Sequence, residues 1–271
     1  MALLWISLLK LAKRPATWVV LMVLLGPIAM VFIGLAASSG QLTDAGDQLQ
    51  VRLILGFPNA YTALVGIILS FGGLLAVTYG AAVIGAEWAS GTIRSIVARG
   101  ESRIRFTVIT FVAIAVVIAI GVVAAFGIGA ILAIFAAGMA GISTAEATAA
   151  DTISTFPDLL ARTWLGVTEQ AAIGFAVAMI FRSQLAGIGA GLALYFGEIF
   201  LALVPLADDV LPYFPFSVAN AVVSSAEGFG DGGFGTTQQL DSATAIVLAV
   251  GYLTVSVGVA SLAAWRAQIT Q

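Results

Sequence analysis

The chain has 271 residues, of which 61% are hydrophobic and only 9% charged, with a net charge of −3 and a mean hydropathy of +1.09. Soluble domains carry about 25% charged residues, so this chain cannot cover itself with polar surface, and lipid is its natural solvent. It has no Cys and no His, which excludes a disulfide framework, thiolate chemistry, a Ser-His-Asp triad and the common zinc sites. No cofactor and no nucleic-acid partner is expected.

Residues 1–14 read as an interfacial helix. Ser7, Lys10, Lys13 and Arg14 fall on one side of a helical wheel, and Leu4, Trp5, Leu8, Leu9, Leu11 and Ala12 on the other. Such a basic amphipathic helix lies in the headgroup plane, and Pro15 breaks it before the first span. No cleavage pattern follows it, so it reads as retained rather than as a signal peptide.

Membrane spans need about 20 apolar residues. They are placed at about 17–37, 61–84, 106–137, 159–181, 186–206 and 243–264. The third is read as one long, tilted helix, because no charge occurs between Phe106 and Ile142 and splitting the run would invert the charge balance downstream. The expected class is all-α integral membrane, a single domain spanning 1–271. The outer segments 38–60, 142–158 and 207–242 carry no clear folded domain, although 143–156 can form a short helix.

Charge orients the spans. With six crossings, Lys10, Lys13, Arg14, Arg94, Arg99, Arg103, Arg105, Arg182 and Arg266 fall on one side, and only Arg52 and Arg162 on the other. The latter side is acidic, carrying Asp44, Asp47, Glu146, Asp151, Asp158, Asp208, Asp209, Glu227, Asp231 and Asp241. By the positive-inside rule both termini are cytoplasmic, in a multi-pass protein of the cell membrane.

The loop at 85–105 joins spans two and three and is the largest on the cytoplasmic side. Gly91 breaks the chain and Thr92 can cap a short helix. Ile93, Ile96 and Val97 give that helix an apolar face, with Arg94 off it, a form suited to docking in a partner's groove or at a lipid surface. The segment Glu87-Trp88-Ala89-Ser90-Gly91-Thr92, followed by an apolar helix and then Arg99 and Arg103, resembles the E-x-x-x-G-T signature of ABC-2-type transporter permeases. The local match covers roughly residues 76–110, and the rest is similar in topology.

The resemblance implies an N-terminal elbow helix, six spans and a cytoplasmic coupling helix that touches a separate ATPase subunit. It further implies two ATPase copies and a second permease, identical or homologous. The coupling set is then Glu87, Gly91, Thr92, Ile93, Arg94, Ile96 and Val97, with Arg182 in the turn between spans four and five as a lesser contact. The sequence contains no G-x-x-x-x-G-K-[ST], and its only lysines are Lys10 and Lys13, so ATP hydrolysis is expected in the partner chain and not here.

Two carboxylates, Glu169 and Glu198, fall inside spans four and five. Ionisable groups in lipid are expensive and mark function by default. Each is 12 residues from the inner end of its span, or about 18 Å, which places both near the midplane. They can share a proton, bind a cationic substrate, or be satisfied by ordinary hydrogen bonds. Gly187 and Gly191 form a GxxxG pair that packs helices. The stretch Glu227 to Gly235 is Gly-rich but acidic and lacks Lys, so it is an outer loop and not a phosphate loop. Two other readings stay open: an ion-coupled secondary transporter built on the two glutamates, and a non-transporting membrane scaffold.

Overall fold

A computed structural model describes residues 2–42, 44–98, 100–204, 209–225 and 240–266. The side chains of Arg94, Ile96 and Val97 lie outside this description, as do Arg99, Asp208 and the Gly-rich stretch 227–235.

The described residues are all-helical, with no strand. The helices are α1 (Ala2–Ala12), α2 (Pro15–Ser38), α3 (Ala45–Leu55), α4 (Asn59–Ala89), α5 (Thr92–Ala98), α6 (Arg103–Met139), α7 (Ala150–Phe181), α8 (Gln184–Leu201), α9 (Pro215–Ser224) and α10 (Ser242–Arg266). Six of them, α2, α4, α6, α7, α8 and α10, are long and apolar enough to cross a membrane. The charge-free run lies, up to Met139, in one unbroken helix of 37 residues, α6.

Helix boundaries follow local chemistry. Lys13 and Arg14 separate α1 from α2, Arg14 being extended and Pro15 opening the next helix, where its missing N–H costs nothing. Ser102 and Ser183 cap α6 and α8 through their side chains. α7 begins at Ala150, earlier than the expected 159. Pro157 lies inside it without ending it, and the short helix expected at 143–156 is instead a 3₁₀ turn, Ala145–Thr148, followed by the start of α7.

The segments expected to be outer loops contain more helix than expected. Asp44 accepts from the Gly46 N–H at 2.9 Å and caps α3 within 38–60. Within 207–242 lies α9, whose Phe216, Val218, Ala219, Val222 and Val223 are buried. α8 stops at Leu201 and not at 206, ahead of Pro205, which cannot donate a helical hydrogen bond.

α4 and α7 are mostly buried and form the centre, whereas few residues of α2, α8 and α10 are buried. The central pair meets backbone to backbone. A Cβ on Gly174 would overlap the Val77 carbonyl, and one on Gly80 would overlap the Ala171 carbonyl. The GxxxG pair also works within the chain: Gly187 lies against Ala178, and Gly191 against Val77.

One end of the bundle gathers the basic residues. Lys10 and Arg14 reach the end of α4, Arg182 lies over Trp88, and the end of α10 meets the start of α6 in a cleft lined by Glu101, Ser102, Arg103, Ile104 and Trp265.

Candidate functional site

Glu87 lies in the last turn of α4, and its side chain is 3% exposed. Its two oxygens are divided between two cations. Lys10 Nζ donates to Oε2 at 2.7 Å, and Arg14 Nη2 donates to Oε1 at 2.5 Å. Lys10 comes from α1 and Arg14 from the α1–α2 break, so one carboxylate fixes that joint to α4. A buried carboxylate needs such partners, because leaving it unpaired costs several kcal/mol.

Backbone groups freed at the joint are also satisfied. Thr17 Oγ1 donates to the Leu11 carbonyl at 2.7 Å, and Trp18 Nε1 to the Ala12 carbonyl at 3.0 Å. With its proton committed to Leu11, Thr17 accepts from the Tyr79 hydroxyl of α4 at 2.9 Å. These bonds supply the carbonyls that the end of any helix leaves open.

Trp88, the next residue, faces the α7–α8 turn. Its Nε1 donates to Met179 Sδ at 3.0 Å, and the Arg182 guanidinium sits 5.5 Å from its ring centroid, within cation–π range. Arg182 itself adopts a left-handed conformation, φ 54°, at the end of α7. Glu87 and Trp88 therefore tie the joint on one side and the α7–α8 turn on the other to one end of α4.

Immediately beyond, Gly91 turns the chain with φ +68°, a conformation that glycine adopts without steric cost. Its carbonyl accepts from the Ser95 N–H at 3.2 Å, so Gly91 and not Thr92 occupies the cap position of α5. Thr92 is the first helical residue, and its hydroxyl bonds to Ser90 Oγ at 2.7 Å.

Ile93 corrects the expected docking face. It is 3% exposed, in a helix that packs on α4 and α6, so it anchors α5 instead of presenting itself outward. Glu87 is likewise turned inward, its carboxylate engaged within the chain. The side chains of Arg94, Ile96 and Val97, the rest of the expected set, lie outside the described residues.

The two intramembrane carboxylates are brought near each other but placed differently. Glu169 of α7 is fully buried, and neither of its oxygens has a hydrogen-bond partner among the described residues. The flanking Thr168 Oγ1 and Gln170 Oε1 are also unpartnered. Glu198 accepts from two backbone N–H groups of α9, Phe216 at 3.1 Å and Ser217 at 2.5 Å. Because α8 ends at Leu201, Glu198 lies in the last turn of its helix. α7 and α8 run antiparallel, with Gly187 against Ala178 and Gly191 beside Gly174, a register that carries Glu198 alongside the stretch of α7 that holds Glu169.

Arg162 has a tethering role that charge counting alone does not reveal. Its Nε donates to Asp158 Oδ2 at 2.7 Å, and its Nη1 donates to the Val222 carbonyl, Ser225 Oγ and Ser242 Oγ at 3.2, 3.4 and 2.8 Å. It joins α7 to the end of α9 and the start of α10. Its only visible sign in the sequence is that it breaks the charge rule. No group of metal-ligating side chains occurs among the described residues.

The sequence matches no protein-family model and no curated relative.

Proposed function

We propose that this chain is the permease half of an ATP-driven exporter of the ABC-2 type. In this reading it lies in the plasma membrane with both termini in the cytoplasm, and a second permease, identical or homologous, completes the substrate path. Two separate ATPase subunits supply the driving force. α1 is the elbow helix in the headgroup layer. α5 is the coupling helix, and the Arg182 turn is a lesser contact with the same ATPase.

The observation that carries this reading is the double ion pair of Glu87. The first residue of the E-x-x-x-G-T segment is joined to two of the three cations of the elbow, Lys10 and Arg14, four residues before the turn at Gly91. A displacement of α5 is then delivered to α4 and to the elbow together, which is what coupling between an ATPase and the spans requires.

Co-purification with an ABC ATPase in nanodiscs tests the reading. The unaltered chain is expected to hold the ATPase and stimulate nucleotide hydrolysis, and Ile96→Asp to lose both while still inserting. Failure to bind any ATPase in any nucleotide state overturns the reading.

Glu169 favours a second one. A fully buried carboxyl with no partner among the described residues suits an ion-coupled transporter working alone. That reading expects transport in liposomes without an ATPase and its loss in Glu169→Gln.

A further inference from the structure

α9 is gripped at both ends by charges of matching sign. Its first-turn N–H groups, Phe216 and Ser217, donate to Glu198, while the Val222 carbonyl near its end accepts from Arg162. A helix favours an anion at its N-terminus and a cation at its C-terminus. The cap residue, Phe214, offers no side-chain acceptor, so Glu198, reaching across from α8, is the anchor for the start of α9.

That anchor works best as an anion. A carboxylate accepts on both oxygens, whereas a neutral carboxyl turns one of them into a donor facing other donors. Glu169 beside it has the opposite surroundings, with no donor for either oxygen among the described residues. Two like charges close together in a dry interior do not both persist, and the member without donors is the one that keeps a proton.

The neighbouring titratable groups are committed elsewhere. Tyr195 of α8 donates to the Ser70 carbonyl at 2.8 Å, and Tyr252 of α10 donates to the Tyr213 carbonyl at 2.7 Å. From α4, Tyr61 donates to the Ala147 carbonyl, Tyr79 bonds to Thr17, and Glu87 binds Lys10 and Arg14. α9 has no titratable side chain of its own, and Arg162 is at its far end.

We infer that Glu169 and Glu198 form a one-proton pair in which Glu169 carries the proton and ionised Glu198 is the catch on α9, so that a proton delivered to Glu198 from the outer medium releases the helix. The ligand of this site is the proton. The inference stands apart from the exporter reading, because it concerns one chain without an ATPase.

The chain has no cysteine, so a single introduced thiol reports alone. Val218→Cys places it on the buried face of α9, and Asp241→Cys, at an exposed position, serves as the control for intrinsic reactivity. Labelling by an impermeant maleimide is measured in nanodiscs as the ratio of the two rates. Adding Glu198→Gln is expected to raise the ratio about tenfold or more at neutral pH, the effect of losing charge-assisted hydrogen bonds. Glu169→Gln, which keeps the neutral member neutral, leaves the ratio unchanged. Acidification raises it in the chain with both glutamates and has little further effect in Glu198→Gln. A ratio that is flat across pH, or unchanged by Glu198→Gln, overturns the catch; release of α9 by Glu169→Gln overturns the placement of the proton.

Discussion

Arg14 donates to Glu87 at 2.5 Å across a separation of 73 residues, and the carboxylate it meets is almost completely buried. The Arg14 side chain is 23% exposed and that of Lys10 46%, so the two cations are not equivalent. Removing Glu87 strands both of them at the joint. Removing Lys10 leaves the carboxylate still bound to Arg14.

Unequal losses of stability are therefore expected. Glu87→Ala should cost about 3 kcal/mol, the scale for breaking a buried ion pair by deleting one partner. Lys10→Ala should cost under about 1 kcal/mol, because exposed pairs contribute little. Unfolding in detergent measures both, and equal losses would show that the joint does not depend on the buried carboxylate.

Ile93 predicts a second contrast. Ile93→Ala removes buried methyl groups and is expected to cost about 2 kcal/mol or more. Ile93→Asp should lower the amount of folded protein outright. An Ile93→Asp chain as stable as the parent would return this residue to the outer face of α5.

The α4–α7 contact predicts a third. Gly174→Val sets a branched side chain against the Val77 carbonyl. The expected cost is about 1–3 kcal/mol, the usual range for overpacking, or more because the obstacle is backbone. The same change at Gly121, which has open space around it, is expected to be nearly neutral. Comparison of the two melting temperatures decides the point.

Orientation is tested on the cysteine-free background. Asp241→Cys should react with an impermeant maleimide added outside intact cells, and Ser95→Cys should react only after permeabilisation. The reverse pattern would invert the arrangement.

The long spans were legible because hydrophobic length is a property of contiguous sequence. α6 needed only the absence of charge from Phe106 to Ile142. α9 was not legible, since ten residues with a half-apolar face look like any loop until something covers them. The glutamates were found by their cost in lipid, but their roles were not. The partners of Glu198 are backbone N–H groups, which carry no sequence signal, and the partners of Glu87 lie more than 70 residues away. Lys10 and Arg14 read only as the polar side of an interfacial helix, because a wheel plot shows which face is charged and not what meets it.

The glycine contact between α4 and α7 has a consequence for movement. Two helices joined by interlocking side chains can slide by exchanging rotamers, whereas a seam of backbone against backbone has no such slack. α4 and α7 therefore behave as a single axle, about 46 Å long on the α4 side. Any rocking within the bundle must come from α2, α8 and α10 swinging about it, with the shaft itself rigid.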